Sequence, residues 1–360
     1  MEIDFHHGVT YVLARLAGFN SDEAEIIAYS AQYVDDSICD DVVMFDNGAI
    51  YKPTCSAHKA LDYRNFNKLA NHLVWVPFHF LPGNCFKKAG ECEEEFYLKI
   101  VCRPNSYIAN DMIKECIKRH HESNALYRLG ITMHVYADTW AHQGFSGIQH
   151  FSNRVQFLDD DETSRNLRDK VAKYFSGIFD KELSKFLDDI LPIGHGAVLS
   201  YPDKPYLRWR YKDFSGKLIE RDNSAIFLEA AKNMFVVMKR FRAGSSREDV
   251  LELEKEIADL LLKQFIEIND FDGSTRHKKW MKGLEKGMFG LSPVKLSYDC
   301  DGTGSWEYKA FSGKKRIIGV KYNYGSNFEN SDWKKFHDAL AEHHFFLLRV
   351  LFPQYRLCIA

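Results

Sequence analysis

LGITMHVYADTWAHQGF, residues 129–145, carries His134, Asp138 and His142 at intervals of four. An α-helix turns once every 3.6 residues, so this spacing stacks the three side chains in one stripe over two turns. Tyr127, Gly130, Ile131, Ala137 and Ala141 flank the stripe and turn it toward the interior. A carboxylate there has to be paired or metal-bound, because an isolated buried charge is costly. Two imidazoles and a carboxylate on one helical face are nitrogen and oxygen ligands suited to zinc.

The segments before it also read as helices. Residues 5–17 place His6, Val9, Thr10, Leu13, Leu16 and Ala17 on one face, with His7 pointing away, and Gly18 ends the run. Asp4 reads as its cap or as a further ligand. Residues 20–23 (NSDE) start a second helix whose inner face, Ala24, Ile27, Ala28 and Ala31, is small enough for close packing. That helix ends in AQYVDD, where Asp35 continues the inner face. An acid at a helix C-terminus opposes the macrodipole, so Asp35 reads as a carboxylate awaiting a cation. Residues 75–82 (WVPFHFLP) are apolar but broken by prolines, which predicts a buried extended or looped segment holding His79.

Ser106 is placed to cap a helix running to about residue 121, and two more helices are expected near 161–175 and 180–190. His195 stands between Gly194 and Gly196, which let a backbone and an imidazole approach a ligand closely, and Asp203 follows downstream. His58, His72, His120, His121 and His277 sit in polar contexts and read as surface residues.

With 360 residues, a net charge of −2 and 45% hydrophobic residues, the chain has the composition of a globular protein without a global basic field for nucleic acid. It shows neither a signal-peptide pattern nor an apolar run of membrane-spanning length, so the expected location is cytoplasmic, without stable membrane insertion. Eight scattered cysteines with no CxxC pair read as reduced thiols. Helical patterns recur at 224–241, 246–268 and 331–351, and residues 296–322 alternate polar and aromatic side chains in a pattern that suggests a small hairpin. The expected fold class is mainly α: a multi-helix bundle, with residues 1–210 as the zinc-binding catalytic domain and residues 211–360 as a helical portion packing on it or continuing it.

Together, FHHGVTYVLARLAGF, AQYVDD, FHFLPG, the HxxxDxxxH helix and GHGAVLSYPD resemble the zinc-dependent phospholipases C and the fungal zinc-dependent single-strand nucleases. More narrowly they resemble a largely uncharacterised bacterial family. The likeness spans about residues 1–210 and implies a phospholipase C/nuclease-like bundle holding two or three zinc ions. It implies one ion on Asp35, His79, His134 and Asp138, a second on His142, His195 and Asp203, and a third on His6, Asp138 and the amino and carbonyl groups of Met1. In the secreted members the ligating amine belongs to a tryptophan exposed by signal removal, whereas here Met1 would supply it.

The activity implied is hydrolysis of a phosphoester or phosphodiester, with Asp35 orienting or deprotonating the attacking water. Trp140, Phe145, Arg208 and Trp209 are the candidate substrate-binding residues. The expected substrate is a nucleotide, a short single-stranded nucleic acid, a phospholipid-like diester or another small phosphoester. Two rival readings are a His-Asp type phosphohydrolase, whose adjacent His-Asp dipeptide this chain lacks, and a non-catalytic, metal-stabilised binding protein.

Overall fold

The computed structural model describes residues 1–58, 68–157, 198, 200–245 and 252–359, and the fold is mainly α. A π-helical turn, Asp4–Val9, runs into α1, Thr10–Ala17, which stops where Gly18 adopts φ 100°. A reciprocal capping box opens α2, Ser21–Asp36: the Asn20 side chain accepts from the Glu23 amide, and the Glu23 carboxylate accepts from the Asn20 amide. Next come α3, Lys68–Phe78; α4, Tyr107–Lys118, capped by Ser106; and α5, Ala125–Ala141, which carries the stripe. The later helices are α6, Asn223–Ala243; α7, Lys255–Glu267; α8, Gly273–Glu285; and α9, Asp332–Phe345. The helices expected near 161–175 and 180–190 lie outside the described residues.

Among the described residues, six short strands, β1 (Val43–Phe45), β2 (Ile50–Tyr51), β3 (Gln156–Phe157), β4 (Arg208–Lys212), β5 (Leu218–Asp222) and β6 (Lys321–Tyr322), form two small sheets ordered β2-β1-β6 and β3-β4-β5. Antiparallel hairpins form at β1–β2 and at β4–β5, the latter with Trp209 opposite Arg221, rather than over residues 296–322. In that segment Asp299 accepts from the amides of Gly302 and Gly304 and closes a turn. Ser305 then caps a short helix, Trp306–Ala310, leaving only Lys321–Tyr322 to pair, in parallel, with β1.

Residues 75–78 are helical, which corrects the expectation of a loop there. Pro77 has no N–H, so the carbonyl of Leu73 loses its helical donor. The ring of His344 replaces it, with Nε2 donating to the Leu73 carbonyl at 2.9 Å. The helix therefore survives to Phe78 and delivers His79 at its end, with the His79 amide bonded to the Trp75 carbonyl.

One apolar core joins the two halves of the chain. Phe5 meets Phe227 of α6 at 5.1 Å and Phe265 of α7 at 5.9 Å between ring centroids. Each such buried ring contributes on the order of 1.5–3 kcal/mol.

Candidate metal centre

Gly130 sets the geometry. A Cβ at this position of α5 would lie 2.4 Å from the Ile27 carbonyl oxygen and 2.5 Å from the Ser30 Cβ, so α2 and α5 touch almost backbone to backbone. One turn further on, His134 Nδ1 donates to the Ala31 carbonyl of α2 at 2.8 Å. That contact brings the last turn of α2, with Asp35, alongside the stripe.

Asp138 is the hub. Its Oδ2 lies 3.4 Å from both His79 Nδ1 and His134 Nε2, and 3.6 Å from His142 Nδ1. Its Oδ1 lies 2.7 Å from the Met1 amino nitrogen and 3.2 Å from His6 Nε2. Asp35 Oδ1 stands 3.7 Å from His79 Nδ1 and 3.8 Å from His134 Nε2, while Asp203 Oδ1 stands 3.3 Å from His142 Nε2 and 3.2 Å from the Met1 nitrogen. Within this cluster His6, Asp35 and His134 offer donor atoms within 4.8 Å of one another, as do His79, His134 and Asp138.

The tautomers follow from the partners. A carbonyl can only accept, so the nitrogen facing one carries the ring proton. His134 Nδ1 faces the Ala31 carbonyl, His79 Nε2 faces the Ser56 carbonyl at 2.9 Å, and His142 Nδ1 faces the His79 carbonyl at 2.7 Å. On His134 and His79 this leaves the opposite nitrogens, Nε2 and Nδ1, as lone pairs. Those of His134 and His79 lie 3.2 Å apart and both face carboxylate oxygens. Lone pairs converging on anions repel unless a cation lies among them, and backbone carbonyls that accept the other ring N–H are a usual outer shell of metal-ligating imidazoles. The His6 ring stacks on His134 at 3.9 Å, and neither of its nitrogens makes a hydrogen bond among the described residues. A buried imidazole in that state has donor capacity to spare for an ion.

Three carboxylates against one ammonium shift the site's titrations. Burial alone would lower the Met1 amino group, but Asp138, Asp203 and Asp35 together raise it to about 11. Burial and the Met1 ammonium lower His6 to about 4, and burial with His6 beside it holds His134 well below its ordinary value. Burial would raise Asp138, yet His142, the Met1 ammonium, His134 and His6 hold it well below the carboxylate range. Burial and the neighbouring Asp138 push Asp35 well above that range.

The structure thus brings together Met1, His6, Asp35, His79, His134, Asp138, His142 and Asp203, while His195 lies outside the described residues. Trp140, Phe145 and Trp209 are buried side chains instead: Trp140 packs edge-on against Tyr136, and Tyr211 stacks on both Phe145 and Trp209. Arg208 is exposed on β4 and pairs with Asp222 at 2.8 Å. None of these four lines the cavity at Asp35.

That cavity, about 370 Å³, opens beside Asp35 and Asp36 and is walled by Cys39, His58, Glu307, Arg316 and other side chains. Its far wall comes from the C-terminal portion, which no local sequence signal connects to the stripe. His58 is buried and lines it rather than facing solvent. His7 and His277 are also buried, joined by a 2.9 Å ring–ring hydrogen bond between His277 Nε2 and His7 Nδ1. Asp4 caps nothing; it accepts from the fully buried guanidinium of Arg276 at 2.7 Å.

Fold and site together define a mainly helical protein with a buried histidine–carboxylate cluster. Residues 1–351 match a family of unknown function, DUF6765, and the chain belongs to that family. Comparison with curated proteins and with solved structures gives no match.

Proposed function

We propose that this protein is a zinc-dependent phosphoester hydrolase with two or three ions at the Asp138 cluster, similar in design to the zinc phospholipases C and single-strand nucleases. The observation that carries this reading is the convergence of the His79 and His134 lone pairs, oriented by backbone carbonyls, with the carboxylates of Asp35 and Asp138. Asp35, His79, His134 and Asp138 would hold one ion; His142 and Asp203, with His195, a second; Met1, His6 and Asp138 a third. When bound, zinc lowers the pKa of its water and neutralises charge on a phosphoryl group.

The chain's own residues position the reaction. Asp35 has a side chain 32% exposed, while those of His6, His79, His134, Asp138 and His142 are nearly closed off. It lines the cavity, so a substrate entering there meets Asp35 before the rest of the cluster, and Asp35 is the group to orient water and accept its proton. Asp36, Asp301 and Glu307 make the cavity wall acidic, and the Arg316 guanidinium in that wall is bound to Glu307 at 2.5 Å. Such a wall favours a substrate with a single phosphoryl group over an oligonucleotide.

The test is elemental analysis of protein purified without added metal, alongside hydrolysis of bis(p-nitrophenyl) phosphate and its monoester. Wild type should carry two or three zincs and cleave at least one ester. His134→Ala and Asp138→Ala should lose both zinc and activity. Zinc retained in both variants together with activity overturns the assignment. Zinc in the wild type with no hydrolysis of either ester would support the metal-stabilised binding protein instead.

A further inference from the structure

Residues 308–328 contain five cations, Lys309, Lys314, Lys315, Arg316 and Lys321, and no acid, in a chain whose net charge is −2. Within this run the segment SGKKRIIGVK projects from the fold. Ile317 is 61% exposed and Ile318 71%, with Val320 also exposed beside them. The tip is a turn in which the Val320 amide bonds to the Ile317 carbonyl and Gly319 takes φ 82°, the left-handed conformation glycine provides.

Both ends of the turn are fastened. The Ile317 amide donates to the Tyr322 hydroxyl at 2.6 Å, and the Tyr322 ring packs on Phe311 at 4.7 Å. Arg316 is held by Glu307. The exposure of the isoleucines is therefore built into an ordered loop rather than left to a loose chain end. Among the described residues, Lys314, Lys315 and Lys321 form no ion pair. Lys321, Met44 and Ile50 are paired across the β2-β1-β6 sheet and so share a face, on which Ile50 is 74% exposed.

We propose that residues 313–321 form a peripheral docking loop for an anionic lipid surface. An apolar tip between lysines matches such a surface: isoleucine enters the acyl boundary while the ammonium groups meet the headgroups. A stable protein interface needs about 800 Å² from each partner, far more apolar area than three side chains offer. Nucleic acid would use the lysines and leave the isoleucines in water. Arg316 begins the tip and also lines the cavity at Asp35, so a docked loop sets that cavity beside the membrane. The inference does not rest on the hydrolase reading, since binding is measured without turnover.

The experiment is co-sedimentation of the full chain with vesicles of phosphatidylcholine alone and with about 30 mol% phosphatidylserine, at low and physiological salt. Wild type should bind the anionic vesicles, less tightly as salt rises, and ignore the neutral ones. At about fivefold per lysine, Lys314→Gln with Lys315→Gln should weaken binding on the order of 25-fold. Ile317→Ser with Ile318→Ser should weaken it by at least about tenfold, with the circular dichroism of each variant unchanged because the substituted groups are exposed. No binding to anionic vesicles, equal binding to neutral ones, or wild-type binding by both variants overturns the proposal. So does tighter, loop-dependent binding to a single-stranded oligonucleotide, which would assign the patch to nucleic acid.

Discussion

Gly130→Ala probes how the fold builds the site, because it adds one methyl group where α2 and α5 meet. Ordinary contact begins near 3.4 Å, so the new Cβ overlaps the Ile27 carbonyl oxygen by about 1.0 Å and the Ser30 Cβ by about 0.9 Å. Both atoms are fixed to the α2 backbone, and neither can rotate out of the way. The helices must therefore part by about 1 Å, which stretches the 2.8 Å bond from His134 to the Ala31 carbonyl beyond hydrogen-bonding range. Overpacking costs about 1–3 kcal/mol and the lost buried hydrogen bond about 1 more. The better helix propensity of alanine returns about 1 kcal/mol, leaving a net loss of about 1–3.

Metal binding should suffer more than stability. Removing the outer-shell partner of a ligating histidine costs about 10–100-fold in affinity, and here Asp35 is displaced as well. Thermal unfolding with excess chelator measures the first effect, and zinc titration against a chromophoric chelator the second. Gly325→Ala serves as the control, because a Cβ there meets only Asn323 Oδ1 at 3.9 Å. If Gly130→Ala melts and binds zinc like wild type, the close approach of α2 and α5 does not position the site and the reasoning fails.

Arg276→Gln should destabilise the protein by about 3–5 kcal/mol, because it leaves the carboxylate of Asp4 buried without its guanidinium. Zinc content should drop by the ion nearest Met1 and His6, whereas an unchanged zinc count in the folded variant would show that this contact does not hold the N-terminal segment in place. The pH dependence of zinc binding should trace to the Met1 amine, raised to about 11, together with the raised Asp35 carboxyl, since His6 at about 4 is already neutral near pH 7. Affinity should rise with pH by about tenfold per unit for the amine proton. A chain extended before Met1 should show a shallower slope in isothermal titrations, and an equal slope would exclude the amine as a ligand. In metal-free protein His6, lowered from 6.5 to about 4, binds its proton in the unfolded state first. Stability should therefore fall as pH drops from about 6.5 to 4, by about 3 kcal/mol from this residue. A flat denaturant midpoint across that range would contradict it.

The parts of the site visible in the sequence are those whose signal is local. The four-residue spacing of His134, Asp138 and His142 is a property of one helix, and Asp35 stands out because an acid at that helix end needs a cation. His6 followed from the face of its own helix. The helix through Pro77 was not visible, because the donor that rescues the Leu73 carbonyl is His344, 271 residues away. His7 and His277 looked like surface residues for the same reason, each being the other's buried partner across 270 residues. Trp140, Phe145 and Trp209 lie near the stripe or Asp203 in sequence, yet helical phase and the β4–β5 pairing turn them into packed layers.

Those distant contacts also decide what the C-terminal portion is for. His344 stabilises the helix that presents His79. Arg276 binds Asp4, two residues before His6, and also the carboxylate of Glu2, next to the Met1 nitrogen. The Tyr298 hydroxyl donates to Asp36 at 2.6 Å, beside Asp35, and Asp301, Glu307 and Arg316 supply the outer wall of the cavity. Ser56 and the His79 carbonyl orient His79 and His142 from the first half, while much of the remaining edge of the cluster is braced from beyond residue 211. The clustered histidines and carboxylates come from the first half of the chain, and several of the contacts that aim them come from the second.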